Sequence, residues 1–168
     1  MPELPEVENV RRTLERRVVG GRVVGVRVRR AGVVRGEATP GAMLVGDAVA
    51  RLDRRGKPLA LVGSAGRVVL VHLGMTGSLI VAGGQQADAD GHTHVVWTLG
   101  DGAELRFRDP RRFGGIWTYP SFEAMHAVRW ARLGDDALTV RARRLAAAMA
   151  GKRQGIKAAL LDQATVAG

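Results

Sequence analysis

Apolar side chains at Val7, Val10 and Leu14 fall on one face of a 3.6-residue repeat, so the spacing predicts an amphipathic helix over residues 3–18. Gly20-Gly21 ends it. The repeat then shortens to two: Val24, Val26 and Val28 alternate with Gly25, Arg27 and Arg29 across residues 22–30, the pattern of a half-buried strand. Residues 31–43 read as a Gly/Ala/Thr/Pro loop. Strand-like runs follow at residues 47–52, 59–62, 68–73 and 79–81, then at 95–99, 105–108 and 115–119. Ser64-Ala65-Gly66 and Gly100-Asp101-Gly102 supply turn signals between them. Short strands joined by short turns predict an antiparallel sandwich or barrel rather than a parallel sheet.

From Ser121 the pattern turns helical. Ser121 is a candidate N-cap for a helix over 122–133. An Ala- and Arg-rich helix is predicted over 139–149, and an apolar-faced one begins at 156–161. The fold class is therefore α+β, in two parts: residues 1–120, a helix with β-structure, and residues 121–168, a linker and the opening of a helical domain that is incomplete at Val166-Ala167-Gly168.

Charge sharpens this picture. The 168 residues carry a formal charge of +10, and only Lys57, Lys152 and Lys157 are lysines. The cationic surface is thus almost all arginine, whose planar fork suits bidentate phosphate contacts, and nucleic acid is the partner it favours. A proteome that uses Arg wherever others use Lys would give the same composition. The chain has no cysteine, which excludes disulfides and a thiolate zinc site. No signal peptide or apolar run of membrane length is visible, so a cytoplasmic protein without membrane contact is expected.

The first stretch with candidate chemistry is the N-terminus itself. Proline is a small second residue, which permits removal of Met1 and exposes the Pro2 secondary amine. An α-amino group titrates roughly two pKa units below lysine, so near neutral pH much of it is nucleophilic. Glu3 and Glu6 supply carboxylates for acid, base or electrostatic work. The same residues also suit a plain helix start, with a preset φ and negative charge against the dipole.

Four other places stand out. Lys57, in Arg54-Arg55-Gly56-Lys57-Pro58, is either a phosphate anchor or a solvated charge. Met75, in His72-Leu73-Gly74-Met75-Thr76-Gly77-Ser78, is either held outward by its flanking glycines, where it could wedge into a base stack, or packed in the core. Residues 106–113 hold four arginines and two phenylalanines, and Asp-Pro with Gly114-Gly115 puts Arg111, Arg112 and Phe113 on an exposed loop suited to phosphate binding and stacking. Lys152, Arg153 and Lys157 surround a predicted helix start, either a phosphate site or a polar linker. His92 and His94, two apart in a strand, are expected to point the same way. With no third ligand near them, a DNA contact or a structural role is preferred to metal.

In this order the motifs resemble the formamidopyrimidine-DNA glycosylase family of base-excision repair over essentially the whole chain. The MPELPEVE start, the RRGK turn, HLGMTGSL, the His92-Thr93-His94 pair, DPRRFGG and the IKxxLLDQ segment carry the likeness. It implies an N-terminal helix and antiparallel β-sandwich, then the start of a helix–two-turns–helix domain. It implies removal of oxidised purines (8-oxoguanine, formamidopyrimidines) from duplex DNA through a Schiff base, followed by strand cleavage by elimination. Pro2 would be the nucleophile, Glu3 the acid assisting sugar opening, Glu6 a supporting carboxylate, and Lys57 a phosphate contact that takes part in β-elimination. Met75, Arg111 and Phe113 would fill the space left by the flipped nucleotide. His92, Arg111, Arg112, Lys152, Arg153 and Lys157 would contact DNA. A bacterial, nucleoid-associated monomer is implied.

The family pattern runs on past residue 168 into further helices and a four-cysteine finger that binds one zinc. Neither occurs in these 168 residues, so no cofactor is expected in this chain, and a truncated form is expected. Residues 133–138 also lack the prolines usual in that linker. A non-catalytic module that binds damaged DNA with the same fold is the alternative, and covalent chemistry at Pro2 separates the two.

Overall fold

The computed structural model describes residues 2–83 and 90–168. Helix α1 (Leu4–Val18) buries Leu4, Val7, Leu14 and Val18. Pro5 lies in its first turn, where no intrahelical N–H is needed, and the Glu6 carboxylate accepts the Glu3 backbone N–H at 3.1 Å, closing the helix start.

Two sheets follow. One is antiparallel, with β1 (Val23–Val28), β7 (Thr93–Leu99), β8 (Glu104–Arg108) and β6 (Ser78–Ala82) adjacent in that order. The other runs β2 (Val34–Arg35), β9 (Gly115–Tyr119), β5 (Val68–His72), β4 (Leu59–Gly63) and β3 (Val49–Arg54), antiparallel except for β2 against β9. Val95, Trp97, Leu105 and Phe107 from the first sheet share one core with Leu59, Leu61, Val69, Val71 and Ile116 from the second, and Val7, Leu14 and Val18 of α1 join it. The result is the expected α+β arrangement, a β-sandwich with its N-terminal helix.

β4 shows why a continuous apolar run was needed. Leu59 and Leu61 face that core. Ala60 and Val62 face a second cluster with Val68, Leu70, Met125 and Trp130, so the strand is covered on both sides. The second cover is α2 (Phe122–Met125), capped by the Ser121 hydroxyl accepting from Ala124 N–H at 3.2 Å, and the wider turn that continues it over His126–Trp130.

The chain then forms β10 (Asp135–Asp136), α3 (Ala142–Met149), α4 (Ile156–Leu161) and β11 (Val166–Ala167), with β11 parallel to β10. No helix among the described residues is long and apolar enough to cross a membrane.

Four sequence expectations change. The alternation in β1 breaks at a register shift between Val23 and Gly25. Val23 is buried and Val24 points out, because the irregularity flips the faces that a strict period of two assigns. Residues 31–43 are not only loop: they contain β2, and the turn at their end buries Met43, and Leu44 after it, completely, with Trp97 Nε1–H donating to the Met43 carbonyl at 3.0 Å. The helix expected over 122–133 stops at Trp130. His92 and His94 do not point the same way: His92 is exposed ahead of β7, and the register shift between Thr93 and Val95 turns His94 into the core.

Candidate functional site

The N-terminal carboxylate and the lone sandwich lysine meet. Glu3 Oε2 lies 2.6 Å from Lys57 Nζ, and both side chains keep solvent access. Pro2, part-exposed, is bonded directly to Glu3, so the α1 start brings Pro2, Glu3 and Lys57 to one edge of the sandwich. Met1 lies outside the described residues. Glu6 stands apart from this pair, engaged with the Glu3 backbone.

The turn carrying Lys57 is held by its neighbours in sequence. Arg54, 6 % exposed, reaches the Asp136 carboxylate through both terminal nitrogens at 2.6 and 2.9 Å and Glu8 through Nε at 2.8 Å. The Gly56 N–H donates to the same Asp136. Arg55 donates to the carbonyls of Leu133 and Gly134. Hydrogen bonding from Arg11 lowers the Glu8 carboxyl to about 2 against the opposing effect of burial, with Arg54 and Arg12 adding to the drop. Burial pushes the Asp136 carboxyl up, but the Arg54 hydrogen bonds, the Gly56 and Leu138 N–H groups and the Arg54 charge together outweigh it, and the net shift is downward. These two arginines are anchors: they tie α1, the Lys57 turn and β10 together.

Lys57 opens onto a cleft of about 440 Å³ that His72, Met75, Phe113, Leu133 and Gln163 also line. His72 accepts the Gly74 N–H on Nδ1 at 3.0 Å, which leaves Nε2 to carry the proton of the neutral ring. Burial lowers its pKa, and the positive charges of Lys57 and Arg129 lower it further. Sequence reasoning passed over His72 and Gln163. His72 lay inside the glycine-flanked motif that was read for Met75 alone. Gln163 closes the IKxxLLDQ segment, where no chemistry was assigned to it, and the return of the chain toward β10 brings it to the cleft.

Met75 and Phe113 project outward, 42 % and 55 % exposed, on adjacent loops. Gly74 adopts φ +64, and a Cβ there would collide with the backbone of Phe113 and Gly114, so the loops touch main chain to main chain. The Arg111 guanidinium lies 4.7 Å over the Phe113 ring. Arg112 takes φ +57, a left-handed conformation that costs a residue with a Cβ about 1 kcal/mol or more. Among the described residues neither Arg111 nor Arg112 has a carboxylate partner, whereas Arg106 pairs with Glu104 and Arg108 with Asp90. Phe107 is fully buried, so only one of the two phenylalanines in this stretch is free to stack.

The helical end supplies more cations without converging on the cleft. Arg153 and Lys157 are exposed, and Lys152 is paired with Asp162 at 2.9 Å. His92 is exposed, its carbonyl accepting the Asp109 N–H. Among the described residues no three His, Cys, Asp or Glu side chains gather as a metal site.

Comparison with known proteins bears on this geometry. Residues 1–116 match the model of the formamidopyrimidine-DNA glycosylase N-terminal domain. Formamidopyrimidine-DNA glycosylases of Rhodopseudomonas palustris (strain BisB18) and Symbiobacterium thermophilum are 42 % and 44 % identical to the whole chain, which covers 62 % and 56 % of their lengths. The Lactococcus lactis formamidopyrimidine-DNA glycosylase bound non-covalently to DNA containing an abasic site superposes with a TM-score of 0.86 at 26 % identity, over 99 % of this chain and 65 % of that one. The wild-type Lactococcus lactis protein in complex with DNA containing N7-benzyl-Fapy-dG gives 0.86 at 27 %, over 99 % and 62 %. The chain thus spans less than two thirds of these relatives. With the family model covering most of its residues, the chain belongs to the formamidopyrimidine-DNA glycosylase family.

Proposed function

We propose that this chain carries the covalent chemistry of a base-excision repair DNA glycosylase with abasic-site lyase activity, acting on oxidised purines in duplex DNA. Once Met1 is removed, the Pro2 nitrogen lone pair attacks C1′ of the damaged nucleotide, the C1′–N bond to the base breaks, and the proton lost from the Pro2 nitrogen goes to the departing base. Glu3 donates a proton to the ring oxygen as the sugar opens and the C1′=N⁺ iminium forms. The iminium accepts the electron pair released when a C2′ proton passes to the Glu3 carboxylate, directly or through water, and the C3′–O bond then breaks, leaving the phosphate on the departing strand. Lys57 holds the phosphate at the lesion and stabilises the charge that develops there.

The observation that carries this reading is the 2.6 Å contact of Glu3 with Lys57 at an N-terminus whose second residue is proline. An acid, a cation and the only position able to offer a secondary amine share one edge, next to a cleft rimmed by Met75 and Phe113. Those two side chains and Arg111 would occupy the stack when the nucleotide is extruded. Arg112, Arg153, Lys157, Lys152 and His92 would serve the phosphates on either side. No cofactor from this chain is required by an amine mechanism. Residues 121–168 are read as the opening of the helical DNA-binding domain, and a cytoplasmic monomer is the expected form.

The test is strand cleavage of a duplex carrying one 8-oxoguanine, read on a denaturing gel. Wild type cleaves at the lesion and Pro2→Gly does not. Binding without cleavage by the wild type overturns the enzymatic reading in favour of a damaged-DNA-binding module.

A further inference from the structure

The loops that present Met75 and Phe113 are joined by a group none of the foregoing roles uses. Asp109 is fully buried, and its carboxylate is shared between them. Oδ1 accepts the Thr76 hydroxyl at 2.6 Å, and Oδ2 accepts the Gly114 N–H at 2.7 Å. The Thr76 oxygen in turn accepts the Arg111 N–H at 3.3 Å. The main chain of Asp109 is also fixed: its N–H donates to the His92 carbonyl at 2.9 Å, and its carbonyl is 2.8 Å from His94 Nε2.

Burial of a carboxylate is unfavourable unless its lone pairs are satisfied, and among the described residues no cation pairs with this one. A hydroxyl and a backbone amide from two different loops supply the hydrogen bonds instead. What the carboxylate adds is direction: it fixes Thr76, next to Met75, relative to Gly114, next to Phe113.

We propose that Asp109 and Thr76 are positioning residues for extrusion of the damaged nucleotide, locking the Met75 loop to the Arg111–Phe113 loop so that both apolar tips enter the base stack as one rigid unit. This rests on the glycosylase reading above. The backbone contact of Gly74 with Gly114 prevents the loops from approaching further, and the Asp109–Thr76 bond prevents them from separating. Without the bond each tip enters separately, and holding the gap open requires ordering two loops in place of one. Neither residue touches the reacting atoms.

The test compares two substrates in single-turnover experiments on the 168-residue chain. One duplex carries 8-oxoguanine, which must be extruded. The other carries a ready-made abasic site with no base to unstack. Thr76→Val removes the hydroxyl at constant shape, Thr76→Ser restores it, and Asp109→Asn keeps the volume while mismatching one of the two donors. Cleavage of the 8-oxoguanine duplex is expected to slow about tenfold or more in Thr76→Val and Asp109→Asn, with cleavage of the abasic duplex within about twofold of wild type and Thr76→Ser close to wild type on both. A 2-aminopurine beside the lesion reports extrusion directly, and its fluorescence rise should slow in step. Equal slowing on both substrates, or wild-type rates on both, overturns the proposal. If Thr76→Val fails to fold by circular dichroism, the Thr76→Ser and Asp109→Asn comparison decides it by the same criterion. A wild-type chain that binds both duplexes and cleaves neither overturns the glycosylase reading, and this inference with it.

Discussion

In the sandwich half, the arginines of both basic stretches are mostly committed to protein: Arg54 to Glu8 and Asp136, Arg55 to two carbonyls, Arg106 to Glu104 and Arg108 to Asp90. At the helical end, α3 buries none of its residues, and Ile156 and Leu161 stand 69 % and 67 % exposed. Within the two basic stretches Lys57, paired with part-exposed Glu3, and Arg111 and Arg112, without a carboxylate partner among the described residues, project from a backbone fixed on several sides. Arg153 and Lys157 project from short segments with little beneath them. Geometry that must hold a reacting sugar belongs on the first kind of support, and general attraction to phosphate can be served by the second.

The widest separation between the regions should appear in rate. Lys57→Ala is expected to slow strand cleavage about 10²–10⁴-fold at saturating DNA, measured in single turnover. Lys157→Ala should leave that rate unchanged, weaken binding a few-fold and reduce the salt dependence of log K by about one unit. Equal losses of rate from the two substitutions would break the comparison.

Next comes stability. Arg54→Ala leaves Glu8 and Asp136 without their shared cation and should cost about 3–5 kcal/mol in urea unfolding. Arg144→Ala removes an exposed pair with Asp135 and should cost at most about 1 kcal/mol.

How far the sequence revealed this division depends on the range of the contact involved. Periodicity found α1, most strands and the Ser121 cap because each is a local pattern. It missed β2, β10 and β11, two-residue strands with no period to read, and it read Met43 only as part of a loop because no helix or strand pattern marks its burial. In the RRGK turn it singled out Lys57, which the fold brings beside Glu3. The partners of Arg54 and Arg55 lie about eighty residues further on, so their anchoring role was invisible. Gly114-Gly115 announced an exposed tip at Phe113, the glycines around Met75 left an outward or a packed side chain open, and nothing local announced that Asp109 joins the two loops.

The smallest effect expected is in pH dependence. The Glu8 carboxyl is held at about 2 in the folded chain against an ordinary value of 4.5, so its contribution is complete above 4.5 and is lost as pH falls toward 2. His72 has a lowered pKa, so the unfolded chain takes up a proton first and stability declines as pH falls below 6.5. Urea midpoints between pH 7 and pH 3 should therefore fall in two stages, and Arg54→Ala should flatten the acidic one.

The central claim is that Pro2 becomes a covalent catalyst, and borohydride trapping tests it most directly. Protein with Met1 removed is mixed with a duplex containing an abasic site, reduced, digested and mapped by mass, beside Pro2→Gly and a sample retaining Met1. The account predicts an adduct on residue 2 in the processed protein alone. An adduct that maps elsewhere, or none while DNA binding persists, would contradict it.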